Sequence, residues 1–183
     1  MLAWDRPLSP SAAIALAMAV TGSTVQVGAA ASQAFRFYDK TTGDHFFAAD
    51  AAEAAHIQAT LPSLLAEGSP WATPDKGADT TDVLRFLDTS TGEHFFTTST
   101  GERDNILSGL PSCHYEGVGF QAYAAEGAAG TEALVRFYNA DTGQHRFALS
   151  YEAASIRQGA AGSGWVEEGK AFIVQTDLHT IAA

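Results

Sequence analysis

Arg36-Phe37-Tyr38-Asp39-Lys40-Thr41-Thr42-Gly43-Asp44-His45 is answered 49 residues later by Arg85-Phe86-Leu87-Asp88-Thr89-Ser90-Thr91-Gly92-Glu93-His94. A third copy, Arg136-Phe137-Tyr138-Asn139-Ala140-Asp141-Thr142-Gly143-Gln144-His145, follows 51 residues after the second. Self-similarity at a nearly constant period of this length is the signature of a tandem repeat. Each copy places aromatic strand formers on either side of a polar turn that starts with Asp or Asn and ends near Gly, which reads as a β-hairpin. Asp39, Asp88 and Asn139 would accept bonds from turn amides, and Gly43, Gly92 and Gly143 would supply the positive φ of a type I turn closed by a G1 bulge.

A short helix is predicted after each hairpin, over 50–59, 99–107 and 150–158. Asp50, Ser99 and Ser150 are natural N-caps, and Glu53, Glu102 and Glu152 sit in the first turn, where the helix dipole favours a negative charge. Those glutamates read as caps rather than catalytic acids. Ile57, Ile106 and Ile156 lie four residues further on and turn one apolar side chain per helix toward the core. A third strand ends the unit: Glu116-Gly117-Val118-Gly119-Phe120 aligns with Glu168-Gly169-Lys170-Ala171-Phe172, and Cys113 takes the place of Trp165 as a small buried hydrophobe. In the first copy Trp71 is aligned with Trp165, Pro74-Asp75-Lys76-Gly77 stands where the Glu-Gly-x-x-Phe ending is expected, and the third strand is doubtful, with 24–27 as a candidate replacement.

The fold class expected is α+β: three strand–hairpin–strand–helix–strand repeats (34–82, 83–132 and 133–180) forming one domain over 34–180. A unit of about 50 residues buries too little apolar surface to offset its chain entropy, so the units must pack on one another. Three copies without polar caps predict a compact pseudo-threefold, strand-rich assembly with helices outside and the third repeat touching the first.

Composition narrows the function classes. The 183 residues are 46% hydrophobic and 17% charged, a globular balance, and the net charge is −11. Nucleic acid, whose binding rests on Lys and Arg neutralising phosphates, is excluded as a partner, and an anionic membrane surface is disfavoured. No stretch has the roughly 18–20 apolar residues of a membrane span. One cysteine, Cys113, allows no intrachain disulfide. The apolar run 12–20, followed by Gly28-Ala29-Ala30-Ala31, gives residues 1–33 the outline of a secretory signal with a weak n-region. The alternative is a native N-terminal extension, with a short helix over 12–18 and a strand over 24–29.

The pattern resembles a family of tandem repeats of unknown function whose members carry Arg-Phe-Tyr-Asn-x-x-Thr-Gly-x-His-Phe-Tyr-Thr-Thr, a Glu-Arg-Asp-like helix, and Trp-x-x-Glu-Gly-x-x-Phe. Arg85-Phe86, Thr91-Gly92-Glu93-His94-Phe95-Phe96-Thr97-Thr98, Glu102-Arg103-Asp104 and Tyr115-Glu116-Gly117-Val118-Gly119-Phe120 carry the likeness, which spans roughly residues 34 to 175. Leu87, Arg146 and Cys113 depart from the pattern. Members of that family are often extracellular and attached to cell-wall hydrolases, so the resemblance implies an accessory binding role and an extracellular address, without a ligand or catalytic residues.

No catalytic constellation stands out. There is no Gly-x-Ser-x-Gly elbow, Cys113 and His114 are strand neighbours with diverging side chains, and Glu167 and Glu168 diverge likewise. His45, His94 and His145 invite a three-histidine zinc site, but structural histidines bonded to a carbonyl or acid are the expected reading. Asp39 with Asp44, or Asn139 with Asp141, offers oxygen ligands for calcium without the dense array of a dedicated loop. No metal or cofactor is expected. Arg36, Arg85 and Arg136 need carboxylates if they turn inward, with Glu116 and Glu168 the natural partners. The function expected is non-catalytic: an extracellular module that recognises glycan or a cell-wall polymer through weak multivalent sites. Tyr38, Trp71, Tyr115, Tyr138 and Trp165 would supply aromatic faces, with Arg36, Arg85 and Arg136 as polar partners. A protein-interaction repeat is the alternative, and a hydrolase using an unrecognised acid pair comes third.

Overall fold

The computed structural model describes residues 31–177. The signal-like segment, its alternative helix and strand, and the last residues of the expected domain lie outside the described residues. The hairpins form where the turn chemistry places them. The Gly43, Gly92 and Gly143 amides donate to the carbonyls of Asp39, Asp88 and Asn139 at 2.7, 2.7 and 2.8 Å. The same Asp and Asn side chains accept from the amides of Thr41, Ser90 and Asp141.

From N to C terminus the elements are β1 (Ala31–Asp39), β2 (His45–Ala48), α1 (Ala51–Thr60), β3 (Leu64–Pro74), β4 (Thr80–Asp88), β5 (Glu93–Thr97), α2 (Thr100–Gly109), β6 (Cys113–Tyr123), β7 (Thr131–Asn139), β8 (Gln144–Ala148), α3 (Ser150–Arg157) and β9 (Trp165–Gln175). The order ββαβ thus runs three times among the described residues. The fold is mainly β, an antiparallel sheet of nine strands with three short helices, rather than an even α+β mixture. In each ββαβ segment the first strand is central: β1 lies between β2 and β3, β4 between β5 and β6, and β7 between β8 and β9. The segments join where the long strands meet, β3 to β9 at Ala72↔Gln175 and β6 to β9 at Tyr123↔Ile173.

The first segment keeps its third strand, which corrects the sequence alignment. Arg36 pairs with Gly68 as Arg85 pairs with Gly117 and Arg136 with Gly169, each at a register shift. These glycines have φ of 91, 103 and 110°, a conformation that a β-carbon would strain. The bulge re-aims the glutamate just before each glycine. Glu67-Gly68-Ser69-Pro70-Trp71 is therefore the Glu-Gly-x-x-aromatic ending, Trp71 corresponds to Phe120 and Phe172, and the counterpart of Trp165 and Cys113 is Leu64.

Asp50 and Ser99 cap α1 and α2 as expected. In α3 the cap position falls on Leu149, with Ser150 already helical; the Leu149 amide donates to the Glu152 carboxylate at 3.2 Å. Ile57 and Ile106 are buried, whereas Ile156 is only partly so.

The core is aromatic. Phe47, Phe96 and Phe147, one each from β2, β5 and β8, lie mutually in contact with centroids 5.6, 6.0 and 6.2 Å apart. Trp71 packs on Phe47 at 4.8 Å, Phe120 on Phe96 at 5.7 Å, and Phe172 on Phe147 at 5.4 Å. Tilted and edge-on pairs of this kind add to the stabilisation from area burial alone. Phe96 is fully buried, so Phe96→Ala is expected to destabilise by about 3–5 kcal/mol in urea unfolding. Lys76→Ala, on the exposed surface, should stay within about 0.5 kcal/mol of the parent.

Candidate functional site

The strand arginines are ion-paired and hold segments together. Arg36 Nε is 2.9 Å from Glu67 and its Nη1 2.6 Å from Glu152; Arg85 Nε is 2.9 Å from Glu116 and its Nη1 2.8 Å from Glu53. Arg136 reaches Glu168 at 2.7 Å and grips Glu102 with both terminal nitrogens at 3.0 Å. Each arginine therefore joins the glutamate of its own third strand to a helix glutamate of another segment. The helix glutamates expected only to cap their own helices are inter-segment partners. Burial works to raise the Glu102 carboxyl, but bonds from Arg136 and Thr97 and the charges of Arg136 and His145 hold it below the usual carboxylate range.

A second layer of cross-contacts comes from the variable residue of Thr-Gly-x-His, of which the sequence suggests only Asp44, as an oxygen ligand, and not the contact it makes. Asp44 accepts from the His94 backbone amide at 2.9 Å, Glu93 accepts from the backbone amide of His145 and lies 2.8 Å from its Nδ1, and the Gln144 side-chain Nε2 donates to the Thr42 carbonyl. All three are buried. A polar residue between an obligatory glycine and a histidine was the available signal, but its partner is some 50 or 100 residues away. The histidines lie beside glutamates, His45 Nε2 3.3 Å from Glu67 and His94 Nε2 3.8 Å from Glu116. Burial pushes both rings down to about 4, helped by Arg146 and Arg36 at His45 and by Arg85 at His94, so both are neutral at pH 7. Among the described residues no group of three His, Cys, Asp or Glu side chains could hold a metal ion.

The junction of the third segment with the first differs from the others. Phe46 lies 5.2 Å from the Arg85 guanidinium and 4.6 Å from the His94 ring, and Phe95 covers Arg136 and His145 at 5.2 and 4.8 Å. The third counterpart is Arg146, which turns over the Trp165 ring at 5.0 Å. With no phenylalanine over Arg36 and His45, a cleft of about 300 Å³ opens, lined by Arg36, His45, Glu67, Arg146, Tyr151 and Glu152 among others. It also takes in Ile156, which explains why that isoleucine is less buried than Ile57 and Ile106. A cleft of about 290 Å³ between the second and third segments is lined by Thr97, Ser99, Glu102, Arg136 and Lys170.

Arg36 lines the larger cleft and Arg136 the smaller, and the other sequence-expected residues lie elsewhere. Trp71 is 0% exposed and offers no face to a ligand; the misplaced alignment hid its place in the core. Tyr38 and Tyr138 are half-buried against His45 and His145 at 5.4 and 4.8 Å. Tyr115, 42% exposed, packs on Phe86. Trp165 is half-buried beneath Arg146 and donates to the Ala161 carbonyl. Arg85 is held by Glu53 and Glu116. Tyr151, 64% exposed, is the aromatic that the larger cleft presents. It stands where the first two helices carry Ala52 and Gly101, so a search for recurring residues passes it by.

A family model described as Domain of unknown function (DUF5648) matches residues 33–175. The chain belongs to the DUF5648 family. No curated protein and no solved structure matches it. In this DUF5648 chain the described residues include no helix long and apolar enough to cross a membrane.

The buried Asp44 gives this layer a pH signature. Burial raises its carboxyl to about 7, with Glu93 adding to the rise against the bond from the His94 amide. Because the folded-state value exceeds the unfolded one, the cost of ionising Asp44 is absent below about pH 4 and complete above about pH 7. His45 and His94 act oppositely: their folded values are depressed, so the stability they preserve is lost as pH falls from about 6.5 to about 4. Asp44→Asn keeps an acceptor for the His94 amide. It is expected to raise the thermal midpoint at about pH 8, with a gain that shrinks toward pH 4. A pH-independent effect on the midpoint would contradict this assignment.

Proposed function

We propose that the chain is a non-catalytic, extracellular binding module of three repeats closed about a pseudo-threefold axis, and that it takes glycan at the junctions between repeats. The reading of closure is supported by the arginine–glutamate contacts, which run from first to second, second to third and third to first segment. The variable-residue contacts through Asp44, Glu93 and Gln144 follow the same circuit.

The observation that carries the binding role is the larger cleft. It combines an exposed tyrosine face, Tyr151, with fixed donors and acceptors on Arg36, Glu67, Arg146 and Glu152. A pyranose ring stacks its C–H face on an aromatic ring while its hydroxyls meet charged side chains at the rim, and a shallow cleft with one such face suits weak binding. Arginines already held by two carboxylates are pre-organised, so ligand binding need not order them. The extracellular address is supported by the signal-like N-terminal sequence. A second reading, a protein-interaction repeat, is favoured by the exposed Leu61, Leu65, Leu107, Leu110, Val118 and Val166.

Retention of the purified chain on insoluble peptidoglycan, chitin and cellulose tests the proposal. Retention on at least one polymer is expected, reduced about tenfold by Tyr151→Ala with the circular dichroism spectrum unchanged, as loss of a stacking face predicts. No retention on any polymer, or retention indifferent to Tyr151→Ala, would transfer the assignment to the protein-interaction reading.

A further inference from the structure

The cleft between the third and first segments contains one cation whose chemistry the rest of the fold leaves unused. Arg36 is occupied by Glu67 and Glu152. The Arg146 side chain forms no ion pair and donates no hydrogen bond among the described residues, and its Nε is buried without a partner. Its contact with the Trp165 ring orients the guanidinium but satisfies none of its N–H donors. The terminal nitrogens carry the remaining N–H donors, and they are left for an acceptor brought in from outside.

We propose that this cleft binds the carboxylate of an acidic sugar, with Arg146 as the anion-recognising residue. The inference rests on the glycan reading for the sugar ring, while the carboxylate contact stands on Arg146 alone. A guanidinium matches a carboxylate with two parallel N–H bonds, the geometry that its planar fork favours. The charges around it set the selectivity. Glu67 and Glu152 together are balanced by Arg36 and Arg146, and His45 is neutral, so the cleft carries no net charge before a ligand enters. A carboxylate adds one negative charge to it, the least that an anion can bring, and Arg146 is the guanidinium with no carboxylate of its own. A doubly charged phosphate would meet the two glutamates across the cleft and is disfavoured. The free lone pairs of Glu67 and Glu152 accept sugar hydroxyls, and Tyr151 covers the ring. Phe46 and Phe95 stand at the positions corresponding to Arg146, so the other two junctions have no such group and the site is single.

Isothermal titration of the full chain with glucuronate, glucose and inorganic phosphate at pH 7 and low salt tests the assignment. Glucuronate is expected to bind about tenfold or more tighter than glucose or phosphate, as a charge-assisted bidentate contact requires. Arg146→Phe, which restores the residue type of the other junctions, and Arg146→Gln, which keeps a polar side chain, should both bring glucuronate down to the glucose level. Glucuronate affinity within about twofold of the parent in Arg146→Gln, or no preference over glucose in the parent, would overturn the proposal. Equal glucose and glucuronate affinity with retention on a neutral polymer would overturn the carboxylate contact and leave the glycan reading standing. A glucuronate preference without retention on any polymer would support the Arg146 site and remove only the polymer reading.

Discussion

An arginine shared between two carboxylates is the constraint around which this fold is arranged. Each strand arginine is mostly withdrawn from water, and a guanidinium so placed must be paired or it destabilises the structure. The glutamate before the bulge glycine supplies one partner within the segment. The first-turn glutamate of another segment's helix supplies the second. The backbone irregularity and the helix position are therefore coupled: without the bulge the first carboxylate points elsewhere, and without the helix cap the second is not delivered. At Arg36 and Arg85 the Nε lies within 2.9 Å of the carboxylate but off the line of a hydrogen bond, so that contact is chiefly Coulombic. Arg136 makes the aligned version and the bidentate grip on Glu102 as well.

The apolar layer complements this polar frame. Phe47, Phe96 and Phe147 meet where the short second strands converge, and Trp71, Phe120 and Phe172 close over them from the long strands. Phe46 and Phe95 cover the arginine and histidine of the following segment, shielding the ion pairs from water and strengthening them. Replacing the third of these phenylalanines by Arg146 leaves Arg36 and His45 uncovered at the junction of the third segment with the first. The same segment carries Tyr151 on its helix, where the other two have Ala52 and Gly101, and keeps Trp165 under the guanidinium. Arg146 and Tyr151 thus both line the cleft at this junction.

Much of the architecture was legible because it rests on local rules. Turn residues fix the hairpins, N-cap chemistry places α1 and α2, and the recurrence of Glu-Gly locates two of the three long strands. The third is hidden because Trp71 matches Trp165 in residue type but stands in for Phe120 and Phe172. Counting back from Trp71 would have found Glu67-Gly68. Of the ion pairs, Glu116 and Glu168 were named as partners from proximity in the unit. The helix glutamates were not, since their capping chemistry explains them locally and their arginines belong to another segment. The cleft was invisible for a different reason. A search for repetition weights what recurs, and Arg146 and Tyr151 matter through what does not.

A double-mutant cycle between Arg36 and Glu152 bears most directly on the closed arrangement, because this pair links the last helix to the first strand. Arg36→Met, Glu152→Gln and the double variant would be compared by urea unfolding at low salt. Closure predicts a coupling energy of about 1 kcal/mol or more, within the range for contacting charged residues. It should be similar to that of Arg85 with Glu53. Additive effects at Arg36 and Glu152, alongside measurable coupling at Arg85 and Glu53, would mean that the first and third segments do not meet, and would contradict the account.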